Sequence, residues 1–259
     1  MLASRIIPCL QIRDRALTKT VQFSHGRYLG DPLNAIRIFN GMEVDELIVL
    51  EIDATLQSRP PDLRSIEGFA AECRMPLCYG GGVKSVEQAK AILALGVEKV
   101  AVSSIALLNT DFVRRLSDSI GSQSVVVILD YRREKSGHHN VYIESGRRSL
   151  DRTVMELARL MQSQGAGEIV LNSIERDGTM SGYDLDLVRE INAELTIPIT
   201  ALGGAGCPEH IRQLVSSCRY VGAAAASMFL FKGPLKAPLI SYLSSEEKRS
   251  ICEVTQDFN

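Results

Sequence analysis

The chain has 259 residues, enough for one large α/β domain or two small ones. Its composition, 45% hydrophobic and 23% charged, is that of an ordinary globular protein, and a net charge of −2 gives no basis for nucleic-acid or membrane-surface binding. No apolar run approaches the ~20 residues of a membrane span, and the start, MLASRIIPCLQIRDR, lacks the pattern of a secretory signal, so a cytoplasmic protein is expected.

Strand-like and helix-like segments alternate from end to end. Short apolar runs predict strands at 5–11, 46–52, 76–80, 99–103, 124–130, 168–172, 197–202 and 220–224. Between them, helical spacing predicts helices near 32–42, 62–73, 85–95, 109–119, 151–164, 184–194, 208–217 and 233–244. Asp31-Pro32, Ser85, Asp111 and Pro208 mark helix starts. Eight such pairs imply a parallel (β/α)8 barrel, because an open doubly wound sheet has no place for the last of them.

A weak repeat divides the chain. VDELIVLEIDAT (44–55) matches AGEIVLNSIERDGT (166–179), and PLCYGGGV (76–83) matches PITALGGAG (198–206). EKVAVSSIAL (98–107) likewise matches RYVGAAAASMF (219–229). The offsets are all about 120 residues. The expected organisation is one barrel over 1–245, made of half-barrels 1–122 and 123–245, with a surface tail at 246–259.

The fifth strand, SVVVILD, ends in a carboxylate. Counting by twos puts Asp130, Ile128, Val126 and Ser124 on one face. In the first strand the matching face is Gln11, Cys9, Ile7 and Arg5, so the first strand offers an amide where the fifth offers an acid. Asp177 and Gly178, in the turn after the sixth strand, bring a second carboxylate to the mouth.

Two glycine clusters, around Gly81-Gly82 and Gly203-Gly204, each follow a strand and precede a helix. Without Cβ atoms their N–H groups can approach an anion closely. Ser103-Ser104 and Ala226-Ser227 follow the next strand in each half, giving two expected phosphate cradles. Asn172 shares the inward parity at the end of strand six. The basic stretch 14–31 is long for a βα connection; Lys19 and Arg27 are placed to close over an anion, unless the stretch is a disordered loop.

Arg5, Glu46, Lys99 and Glu168 stand at the opposite ends of strands one, two, four and six. The six steps from Arg5 to Gln11 span roughly 20 Å, so these charges ring the barrel bottom. Two positive and two negative groups neutralise one another, which burial requires, and a structural plug is sufficient explanation. The six cysteines are scattered without a CxxC pair and are read as reduced; no metal or cofactor is expected.

Taken in order, RIIPCL, Lys19, GDP (30–32), DEL (45–47), GGG, GSQSVVV with Asp130, ERDGTMSGYD and GGAG resemble the cyclase subunit of imidazole glycerol phosphate synthase over nearly the whole chain. The resemblance implies a barrel that pairs with a glutaminase and receives its ammonia through a charged gate at the bottom, formed by Arg5, Glu46, Lys99 and Glu168. It also implies an elongated bis-phosphorylated substrate at the mouth. In that family two carboxylates, at the ends of strands one and five, act as general acid and base. Here Asp130 is present and Gln11 replaces its partner. An amide exchanges no proton near neutral pH, and losing a positioned acid or base typically costs 10²–10⁴-fold.

Ser103 and Ser104 stand where the family favours Asn-Thr, Asn172 where it favours Thr, and Arg15 where it has glycine. With KTVQF (19–23), RYLGDPLNAIRIFN (27–40) and MPLCYGGG (75–82), the changed pattern resembles a paralogous branch associated with acetamidino modification of bacterial surface sugars. In that branch the barrel and its glutaminase pass ammonia to a separate amidotransferase. The resulting expectation is an ammonia-conducting barrel with weak or absent cyclase activity; the alternatives are an active cyclase of histidine biosynthesis that tolerates Gln11, and a phosphate-binding barrel with another isomerase or lyase activity independent of any glutaminase.

Overall fold

The computed structural model describes residues 4–218 and 220–253. The first barrel strand, β1 (Arg5–Arg13), is buried along nearly all its length, as a strand covered on both faces must be. It turns at Asp14 and Arg15 into β2 (Ala16–Val21), which turns again at Gln22 and Phe23 into β3 (Ser24–Gly30). Both turns carry positive φ at two successive residues, the type I′ geometry whose twist suits a hairpin. The stretch 14–31 is therefore an ordered antiparallel excursion hydrogen-bonded to β1, with Gln11 opposite Thr18.

Next, α1 (Pro32–Asn40) opens where the Asp31 carboxylate accepts the Leu33 N–H and Pro32 takes the first turn. There follow β4 (Leu47–Glu51), α2 (Leu63–Glu72), β5 (Leu77–Gly80) and α3 (Val86–Ala94), the last started by a reciprocal Ser85/Gln88 cap. Then come β6 (Lys99–Val102), a short α4 (Ser104–Leu108) and α5 (Asp111–Ile120).

The second half repeats the plan. β7 (Val125–Arg133) again leads into an antiparallel excursion, β8 (His139–Ile143) and β9 (Arg148–Thr153), which shortens the helix expected from 151 to α6 (Val154–Ser163). β10 (Glu168–Ser173), α7 (Leu185–Glu194), β11 (Ile199–Leu202), α8 (Pro208–Ser217), β12 (Val221–Ala225) and α9 (Ser227–Leu230) follow. Eight strands pair in parallel in the cyclic order β1, β4, β5, β6, β7, β10, β11, β12. The β12–β1 and β7–β10 ladders complete the ring, so this is the (β/α)8 barrel with a repeated half.

The last helix lies elsewhere than the sequence predicts. In place of a helix, residues 233–244 contain β14 (Ala237–Pro238), which pairs antiparallel with β13 (Phe231–Lys232) just before them. Pro234 and Pro238 explain this, since a proline inside a helix deletes a hydrogen bond and clashes with the preceding turn. The helix is instead α10 (Ser245–Glu253), inside the stretch read as a surface tail. Ser244 and Glu247 cap its start reciprocally, a signal legible as S-x-x-E. Its Ile251 is fully buried and its Lys248 Nζ lies 2.5 Å from Asp45 Oδ1, so residues 245–253 are part of the packed body. The remainder of the expected tail, 254–259, lies outside the described residues.

Candidate functional site

At the N-terminal ends of the strands the four charges meet in a closed ring. Arg5 binds Glu46, and its Nη2 lies 2.8 Å from Glu168 Oε1. Lys99 Nζ sits 2.8 Å from Glu46 Oε1 and 2.8 Å from Glu168 Oε2. Thr200 Oγ1 also donates to Glu168 Oε1, at 2.6 Å. Burial works to raise the Glu168 pKa, but Arg5 and Lys99 outweigh it and hold the carboxyl below its ordinary value. The same balance, run in reverse, raises Arg5 and Lys99 above theirs. Arg5, Lys99 and Glu168 are thus held in their charged forms, and each cation contacts both carboxylates of the ring.

At the other end of the strands a cavity of about 190 Å³ opens over the first half of the barrel. Gln11, Asp130 and Asn172 reach it from the axis, and Gly81, Gly82, Ser103 and Ser104 line its side. Gly81 has φ +127, and a Cβ there would fall 2.6 Å from the Glu51 carbonyl oxygen, so only glycine fits this turn. Asp130 accepts a 2.7 Å hydrogen bond from Asn172 Nδ2. Burial pushes the Asp130 pKa up to about 7, against the pull of that amide and with a further push from Asp177. A carboxyl poised there can accept and return a proton near neutral pH.

Gln11 is tied down. Its Oε1 accepts from Thr20 N at 3.0 Å, Thr20 Oγ1 at 3.1 Å and Lys19 Nζ at 3.4 Å. Lys19 Nζ in turn lies 2.6 Å from Asp177 Oδ1, and Thr20 Oγ1 donates to Asp177 Oδ2 at 3.0 Å. Lys19 is only 2% exposed and does not line the cavity. Arg27, the other base of that excursion, donates to the Lys236 carbonyl oxygen at the protein surface. The expected lid cation is therefore a buried latch between the β2–β3 excursion and the turn at Asp177-Gly178.

The second glycine cluster is packed differently from the first. Gly203, Gly204, Ala226 and Ser227 are all buried, and the Gly204 carbonyl oxygen accepts the Gly182 N–H at 2.7 Å. They lie beneath the β10–α7 connection and outside the walls of the cavity.

The sequence profile described as "Histidine biosynthesis protein" matches residues 5–235, nearly all of the barrel. The chain belongs to this family. Its relatives place it among the HisF barrels. A Vibrio vulnificus protein with the provisional name imidazole glycerol phosphate synthase subunit hisF3 is 49% identical over 98% of each chain. A Pseudomonas aeruginosa protein, provisionally subunit hisF2, is 46% identical over 93% of this chain and 96% of its own. The Streptococcus sanguinis imidazole glycerol phosphate synthase subunit HisF is 37% identical over 88% and 91%.

Several wall residues of this HisF-family cavity escaped sequence reasoning. Glu51, at the end of β4, lines it, and burial raises its carboxyl to about 7 even though Arg59 Nη2, 3.3 Å away, pulls it down. Arg13 is there too, paired through Nε with Asp53 Oδ2 at 2.6 Å. Thr20, Phe23, Lys84, Ser145 and Arg147 complete the approach. Counting by twos from Glu46 along β4 excludes Glu51 from the inner face, and nothing in the sequence announces that a β8–β9 hairpin brings Arg147 over the mouth. Among the described residues no helix is long and apolar enough to cross a membrane.

Proposed function

We propose that this barrel receives ammonia from a partner glutaminase at its bottom face and passes it along the axis to the mouth, in the service of acetamidino modification of a surface sugar by a separate amidotransferase. Cyclase activity is weak or lost. The observation that carries the reading is the pairing of Asp130 with an amide: Gln11 stands where a second carboxylate is needed, and its oxygen is already saturated by three donors. The ring of Arg5, Glu46, Lys99 and Glu168, by contrast, has every charge in place. A chain that had lost ammonia transfer altogether would have no use for two buried carboxylates held between two half-buried cations, an arrangement whose desolvation is costly. The Vibrio and Pseudomonas relatives, at 49% and 46% identity, carry the numerals 3 and 2 in their names, which fits a branch apart from the ordinary cyclase, although a Leptospira borgpetersenii relative at 46% is named plain HisF.

The second reading, an active cyclase of histidine biosynthesis, is favoured by the open wall of Gly81, Gly82, Ser103 and Ser104, which a pure conduit does not need. One experiment separates the two. The purified protein is given the cyclase substrate and an ammonium salt at raised pH, so that no glutaminase is required. The expected turnover is at least ~100-fold below that of an ordinary cyclase, the low end of what a missing acid or base costs, with activity appearing in Gln11→Asp. Turnover near the ordinary level overturns the proposal in favour of the cyclase, and failure to co-purify with any glutaminase removes both.

A further inference from the structure

Three carboxylates border the mouth cavity: Glu51, Asp53 and Asp130. Asp53 is bound to Arg13, whose Nε lies 2.6 Å from its Oδ2. Asp130 is held by the neutral amide of Asn172, at 2.7 Å. Glu51 has one ion-pair partner among the described residues, Arg59, and that contact is long at 3.3 Å. Arg59 also divides itself, since the same Nη2 lies 3.4 Å from the exposed Asp14 Oδ1. Two of the three wall carboxyls are therefore free of a close cation, and burial has raised both to a pKa of about 7.

Glu51 also stands close to the position that lacks an acid. β4 pairs with β1 so that Leu50 lies opposite Gln11 and Glu51 opposite Ile12, one step further toward the mouth. Strand parity turns Glu51 off the barrel axis, but it is the last residue of β4, and its side chain, 15% exposed, borders the cavity all the same. The glycine turn makes room for it, because a Cβ on Gly81 would fall 2.7 Å from the Glu51 Cβ. β7, which carries Asp130, follows three strands further round the ring. The two carboxyls thus reach one volume from different sides. Gln11, between them in function, has an oxygen already taken by three donors and an amide that exchanges no proton.

We infer that Glu51 is the partner of Asp130 in proton exchange at this mouth, the role that Gln11 cannot fill, and that the weak cyclase turnover the barrel retains passes through this pair. Ammonia that bonds to carbon must give up a proton, and the group that departs must receive one. One carboxyl accepts while the other donates, so the pair ends each turnover with the charge it began with. Two groups that hold their protons about equally near neutral pH suit that exchange. A carboxyl displaced by one strand and one residue meets the reacting atoms off the best line, which keeps the turnover slow. The inference rests on the reading of Gln11 as a lost acid, and is independent of where the ammonia goes afterwards.

The test is the ammonium-dependent cyclase reaction in single turnover, with the full chain in excess over the cyclase substrate so that slow conversion is measurable. Glu51→Gln is expected to lower the rate constant at least ~10-fold, and Asp14→Asn, which removes the other partner of Arg59, to stay within twofold of wild type. In Gln11→Asp, where strand one has its carboxyl back, adding Glu51→Gln should cost a smaller factor than it does in wild type. A merely structural role for Glu51 would cost the same in both backgrounds. The inference is overturned by absent turnover in wild type, by a smaller loss in Glu51→Gln, by an equal loss in Asp14→Asn, or by an equal loss in the Gln11→Asp background. Failure of the earlier reading looks different. Full cyclase turnover that collapses in Glu51→Gln refutes a weakened cyclase and upholds Glu51, whereas weak turnover indifferent to Glu51→Gln does the reverse.

Discussion

Two charged clusters are built into this barrel, one at each end, and they differ in how far water reaches them. In the bottom ring the carboxylates are sunk, at 4% and 7% side-chain exposure, while Arg5 and Lys99 reach outward at 27% and 18%. At the mouth, Lys19 and Asp177 are both sealed, at 1% and 5%. The ring touches solvent through its cations and has two partners for every charge, so single contacts can exchange while the rest hold. The mouth pair has no such redundancy and joins two loops into one roof. Burial of an ion pair therefore constrains the two clusters differently, because only in the ring does the cation still meet water.

That contrast is broken most severely at the mouth. Lys19→Met leaves the Asp177 carboxylate buried opposite no cation, and we expect a loss of roughly 3–5 kcal/mol in urea denaturation, the usual cost of orphaning one member of a buried pair. Adding Asp177→Asn in the same chain should recover a large part of it; no recovery would show that the pair is not what joins the loops. The ring should yield less. Glu168→Gln keeps the shape but leaves Arg5 and Lys99 sharing Glu46, and the expected cost is about 2 kcal/mol, because both cations can turn to solvent. A loss as large as that of Lys19→Met would show that solvent contact of the cations does not soften the ring.

The smallest and sharpest effect concerns Asp130. Its folded-state pKa is raised, so the stability it contributes is fully present below the unfolded value near 4 and is lost as pH rises through about 7. Asp130→Asn removes that titration. Relative to wild type, the variant should therefore gain stability between about pH 4 and 7, by ~1–2 kcal/mol in total since the carboxyl borders the cavity, and then level off. A difference that does not vary with pH over this window would mean that Asp130 is ionised throughout.

Much of this was readable beforehand. Short β-branched runs alternating with capped helices dictate a closed parallel barrel, because strands buried on both faces and helices apolar on one have few other arrangements. Counting by twos put Arg5, Glu46, Lys99 and Glu168 at one end and Gln11 and Asp130 at the other, since strand parity converts spacing directly into facing. Pro234 and Pro238 against a helix at 233–244, and Ser244 with Glu247 for one at 245, were equally legible signals, and local chemistry outweighed apolar spacing there.

The sequence by itself determined which residues share the barrel's axis, because within a strand the backbone leaves no choice of side. Only the tertiary structure decided what those residues meet: that Lys19 turns to Asp177 and away from the cavity, that one glycine turn stays open while the other is covered, and that Arg147 arrives from a hairpin to line the cavity. Such encounters join residues more than a hundred positions apart, as from Lys19 to Asp177, and depend on how connections of different length fold back over the mouth. No local rule of spacing encodes that return path.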